Sequence, residues 1–138
     1  VANYLEAKVV VKVRSVLLAN ATVAGMVGTR VFDSHVSTVS DPVYPCVSLH
    51  ALDGSAIGVG PNLVRFSLQV DLWFPADEQA KSRLYDCADA VRRALHWYGV
   101  NDGTVAILGM VEQPGGAVLY ESERALWHLA KRFDVFAA

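Results

Sequence analysis

Residues 64–74, VRFSLQVDLWF, alternate without a break. Val64, Phe66, Leu68, Val70, Leu72 and Phe74 are apolar, and Arg65, Ser67, Gln69 and Asp71 stand between them. Successive side chains of a strand point to opposite faces. This run therefore commits the chain to a long antiparallel strand with one face in a core and the other open. Only Trp73 interrupts the polar face.

The apolar face needs a cover, and one follows directly. Pro75 ends the strand and Asp77 opens a helix over residues 77–98, in which Ala80, Leu84, Cys87, Ala88, Val91, Leu95 and Tyr98 form one stripe. Asp77 and Glu78 in its first turn, and Arg92 and Arg93 near its last, complement the helix dipole. Gly99 reads as its stop. The stripe is expected to pack on the even face, with Leu84, Val91 and Leu95 meeting Phe66, Leu68 and Val70.

Upstream, residues 4–19 read as a helix, because Leu5, Val9, Val13, Val16 and Leu17 share a face. The β-branched run Val9–Val11 works against it. Asn20 caps a second short helix, ATVAGMV, which Gly28 stops. Residues 30–32 make a short strand, 33–45 a proline-containing loop, and 46–52 a strand. Residues 53–62 read as a glycine-rich loop. A strand over 104–113 reaches the turn Pro114-Gly115-Gly116, continues through 117–120, and is followed by a polar tip at 121–123. The last strand, 124–136, has Trp127, Leu129, Phe133 and Val135 on one face, and Leu126, His128, Ala130, Arg132 and Asp134 on the other. Helices among antiparallel strands define an α+β class. The expected architecture is a four- to five-stranded, mainly antiparallel sheet with two helices on one face, all in a single domain over 1–138.

The chemistry of the chain excludes more than it suggests. With a net charge of -2 the chain has no electrostatic footprint for non-specific nucleic-acid binding. Cys46 and Cys87 read as two buried, reduced thiols, and no CxxC or Cys/His cluster supports zinc. The run VVVKVRSVLLA is too short and too charged for a membrane span, and it lacks the order of a signal peptide. GSAIGVGPN lacks the GK[ST] ending of a phosphate loop and is followed by a strand, not a helix. None of His35, His50, His96 and His128 has a second ligand type at helical spacing, and no GxSxG surrounds a serine. Asp71 and Asp134 are the one carboxylate pair the strands could bring together. Arg65 and Arg132 share their faces, so a structural ion-pair network is expected there. No catalytic, metal or cofactor residues emerge, and the chain does not read as an enzyme.

One resemblance spans residues 14–136. The order LLANATVAGMVGTRVF, YPCVSL, FSLQVDLWF and an alanine-rich helix ending AVRRAL resembles the tail completion proteins of long-tailed bacteriophages, also called tail terminators or head–tail joining proteins. Its elements here are Val27-Gly28-Thr29-Arg30-Val31, Tyr44-Pro45-Cys46-Val47, Gln69-Val70-Asp71-Leu72-Trp73 and Val91-Arg92-Arg93-Ala94-Leu95. The resemblance implies a structural protein made in the host cytoplasm and resident in the virion. It implies a hexameric ring that caps the tail tube, ends its growth and docks the tail on the head connector. DNA would pass through the channel without specific binding, and neither cofactor nor membrane is involved. A connector adaptor of the neck is the neighbouring alternative. A small ligand-binding α+β domain is the alternative from another class, and it would need convergent polar groups between helix and sheet.

On this reading two surfaces serve assembly. One is the loop, with Asp53, Gly54, Ile57, Gly58, Val59, Gly60 and Asn62 mobile alone and ordered by a partner. The other is the open sheet face, with Arg65, Gln69, Asp71, Trp73, His128, Arg132 and Asp134 reachable by solvent or by a neighbouring copy.

Overall fold

The computed structural model describes residues 2–33, 39, 42–52, 57–60 and 62–138, with side chains described from Leu5 onward. The elements are α1 (Ala2–Ala19), α2 (Ala21–Val27), β1 (Val31–Phe32), β2 (Cys46–Ala51), β3 (Ile57–Gly60), β4 (Leu63–Pro75), α3 (Glu78–Leu95), β5 (Val100–Asn101), β6 (Ala106–Glu112), β7 (Val118–Glu121) and β8 (Leu126–Ala137).

β4 and β8 form the spine. They pair antiparallel from Val64↔Ala137 to Pro75↔Leu126. Both are longer than any neighbour, so the outer edge of each is shared by two shorter strands. β3 takes the start of β4 and β2 takes Leu68 to Trp73. β7 takes Leu126 to Leu129 of β8, and β6 takes Phe133 to Ala137. The result is an eight-stranded sheet, and it is mixed because β1 joins β2 in parallel. The class is α+β as expected. The sheet is wider than four or five strands, because the spine leaves edge length that further segments must satisfy with hydrogen bonds.

Three helices, not two, contribute to the core on the even face of β4. Val9, Val13 and Leu17 of α1, Val23 and Val27 of α2, and Leu84, Cys87, Val91 and Leu95 of α3 join Phe66, Leu68, Val70, Leu72 and Phe74 in one buried cluster. Each fully buried Val, Leu or Phe side chain contributes about 1.5–3 kcal/mol of transfer free energy. Asn20 makes the corner between α1 and α2, its Oδ1 accepting from the amides of Thr22 and Val23 at 3.1 Å each. Gly28 closes α2 at a φ of 60°. No single helix among the described residues is long and apolar enough to cross a membrane.

α3 begins where Asp77 caps it, Oδ1 accepting from the Ala80 amide at 2.6 Å. It ends at Leu95, before the glycine expected to stop it. The Trp97 amide donates to the Met110 carbonyl at 2.7 Å and the Glu112 amide to His96 Nδ1 at 3.1 Å, so the chain leaves the helix directly onto β6. Gly99 has a different task. A Cβ there would lie 3.2 Å from the Ile107 carbonyl oxygen.

Candidate functional site

The odd face of β4 carries the polar residues singled out above, and its two ends differ. At the far end Asp71 lies between Ser48 of β2 and Ala130 of β8. Its Oδ1 accepts from Gln69 Nε2 at 2.9 Å and lies 2.8 Å from His128 Nε2, and its Oδ2 lies 3.6 Å from His50 Nδ1. The carboxylate is 1% exposed. Trp73 is 3% exposed. It stacks parallel on the His128 ring at 3.8 Å and donates from Nε1 to Ser48 Oγ at 3.3 Å. Its outer side meets Arg124, whose guanidinium lies 5.3 Å from the ring centre. Arg124 is held by Glu121 at 2.6 and 3.0 Å and by the Tyr44 hydroxyl at 3.1 Å. Cys46, Trp73 and Leu126, flanked by Phe32 and Tyr44, make a second small apolar cluster on this face. Asp71 and Trp73 are therefore not on an accessible surface. Tyr44 and the turn before β8 close over them.

At the near end the face is open. Arg65 and Arg132 are exposed, and Gln69 and Asp134 are half-buried; His128, also half-buried, belongs to the far end, opposite Trp73. Asp134 lies opposite Ser67, four residues along β4 from Asp71, so the two carboxylates are not neighbours. The expected ion-pair network is replaced by neutral partners: Asp134 accepts from Gln113 Nε2 at 2.8 Å, and Arg132 Nε donates to Gln69 Oε1 at 3.2 Å. Of the two thiols, Cys46 belongs to that second cluster beside Trp73 and Cys87 to the main core under α3. Burial pushes Cys46 up to about 11 and Cys87 up to about 12, so both are protonated and unreactive at neutral pH.

The glycine-rich segment is not a loop throughout. Ile57–Gly60 forms β3, antiparallel to β4, with Ile57 opposite Arg65, Gly58 opposite Val64, and an irregularity before Gly60. Without it the start of β4 would have no partner on that edge. Asn62 turns the chain at a φ of 61°. All of β3 is exposed, Ile57 by 50% and Val59 by 45%. Asp53 and Gly54 lie outside the described residues. On the opposite edge of the sheet β7 presents Leu119 and Tyr120, 61% and 56% exposed.

The family model for tail completion protein gp17 matches residues 11–137. The chain belongs to that family. Membership makes it a structural protein of phage-like virions, of the tail or neck. No curated protein matches. Among solved structures, a chain of the virion of a native gene transfer agent (GTA) particle has the same fold. Its TM-score is 0.68 at 19% identity, over 91% of this chain and 90% of that one.

In a family of assembly proteins the exposed apolar residues matter as much as the polar face, and of the nine large ones among the described residues the sequence pointed to two. Ile57 and Val59 stood out because glycines isolate them. Leu119 and Tyr120 were read as a continuation of the 104–113 strand. Gly115 and Gly116, at φ values of 105° and 103°, instead turn the chain so that β7 pairs with β8. Two adjacent glycines between apolar segments were the available signal. The space between α3 and β4 is filled by Leu84, Leu95, Phe66 and Leu68, all essentially fully buried.

Proposed function

We propose that this protein is the terminator subunit of a phage-like tail. Six copies close into a ring that caps the tail tube, ends its polymerisation and docks the tail on the head connector. The observation that carries the reading is the family match, which runs through nearly the whole domain, from residue 11 to residue 137. The geometry suits a ring whose helices face outward. The open end of the sheet face, with Arg65, Gln69, Arg132 and Asp134, then approaches the channel, while Asp71 and Trp73 support that wall from within. A wall of mixed charge lets DNA pass, whereas a strongly basic one would hold it through counterion release.

The test is the native mass of the protein, alone and with purified tail tubes, together with the length of tails made without it. A ring on the tube end and overlong, unjoined tubes in its absence are expected. A monomer under both conditions, with tails of normal length joined to heads in its absence, would reject the terminator role.

A further inference from the structure

We propose that neighbouring copies of this ring join edge to edge, the free side of β3 on one copy pairing antiparallel with the free side of β7 on the next. The inference rests on the terminator reading and adds the contact that closes the ring.

Four observations lead to it. Among the described residues β3 has a sheet partner only in β4, and β7 only in β8. Each therefore offers a four-residue row of outward backbone groups, the usual template for adding a strand. The two rows lie on opposite edges of one sheet, so a contact between them is heterologous and repeats from copy to copy, which is what a ring requires.

Direction agrees as well. β3 is antiparallel to β4, β4 to β8, and β8 to β7. β3 and β7 thus run in opposite senses, and copies related by rotation bring them together antiparallel.

The faces also match. Ile57 stands opposite Arg65 and Leu119 opposite His128, which puts both exposed apolar side chains on the open face. On the helix face Gly58 stands opposite Val64, and Tyr120 opposite Trp127. Pairing the edges antiparallel sets Ile57 against Leu119 on the open face and Gly58 against Val118 on the helix face, so the side chain of Val118 meets a glycine backbone. Charge is complementary too: exposed Arg65 flanks β3, and exposed Glu123 follows β7.

The rows sit at different heights. β3 pairs with the start of β4, and β7 pairs with the part of β8 that faces the end of β4. Neighbouring copies are therefore staggered, and the strands run inclined to the ring axis, as in closed barrels.

Two cysteine variants, Ile57→Cys and Leu119→Cys, test the contact. Native Cys46 and Cys87 are buried and do not compete. Oxidising a mixture of the two single variants should give disulfide-linked dimers, and neither variant alone should. The double variant should give a ladder ending at the ring number on a non-reducing gel. As a check free of substitutions, amide exchange at Ile57 and Gly58 and at Val118 and Leu119 of the unmodified protein should slow together on assembly. A ring of the expected mass with neither cross-links nor joint protection would overturn this contact and leave the terminator reading standing. A protein that never forms a ring, with or without tubes, would overturn both.

Discussion

Arg65 and Gln69 share a strand face with Asp71 and Trp73, and the same alternation continues through all four, yet the two pairs live in different solvents. The first pair meets water or hydrogen-bonds laterally to Arg132. The second is sealed under His50, His128, Tyr44 and Arg124. Alternation reports which face a side chain points to. It does not report whether that face is covered, because the cover comes from segments remote in sequence. The contact between Arg124 and Tyr44 spans 80 residues.

The largest expected effects fall on the other face, where the two ends should not differ. Leu68 and Leu72 are both fully buried against the helices. Replacing either with alanine should cost about 2–5 kcal/mol in chemical denaturation. A much smaller loss at Leu72 would mean that the asymmetry extends through the sheet.

On the odd face the ends should separate. Asp71→Ala removes an acceptor shared by Gln69 and His128 in a buried site, and should cost about 1–3 kcal/mol. Arg65→Ala, at the open end, should stay within about 0.5 kcal/mol of the parent. Similar midpoints for the two variants would remove the distinction drawn above. Trp73→Phe is a finer probe. It keeps an aromatic ring for His128 to stack on and deletes only the donor to Ser48, so a loss of about 0.5–1.5 kcal/mol is expected.

Sequence alone recovered the parts of this fold in which a period repeats often enough to be unambiguous. The stripe of α3 and the alternation of β4 each run through many residues, and the cap at Asn20 has one local chemistry. The strands it missed, β3 and β5, are four and two residues long. In β3 two of those four are glycine, so no period exists to be read. β3 forms because β4 leaves edge length beside Leu63–Arg65, a property of the partner and not of the segment. For the candidate site the same reasoning placed Arg65, Gln69, Arg132 and Asp134 on one face correctly. It misjudged Asp71 and Trp73 because nothing within ten residues of either announces Tyr44 or Arg124.

The smallest expected effect belongs to a carboxylate in the opposite setting from Asp71. Asp102, after β5, pairs with Lys12 of α1 at 2.9 Å and accepts from the Thr104 and Val105 amides at 2.9 and 3.1 Å. The hydrogen bond from Lys12, then those from Val105 and Thr104, pull it from 3.8 to about 2, and the same pair raises Lys12 above 10.5. The folded acid is stronger than the unfolded one, so its stabilisation is complete above 3.8 and is lost as pH falls through about 2. The folded lysine holds its proton more tightly, so its share is complete below 10.5 and is lost as pH rises through its folded value. The contribution is therefore flat between these limits and falls at both ends. Asp102→Asn keeps an oxygen for the two amides and deletes the charge. The melting temperature of the variant should lie slightly below the parent's across the plateau, converge with it on acidification towards pH 2, and approach it in high salt, because an exposed pair is screened. A difference insensitive to both pH and salt would show that this pair acts through packing alone. Surface charge here would then be as silent as at Arg65, leaving buried Asp71 the more informative carboxylate for this fold.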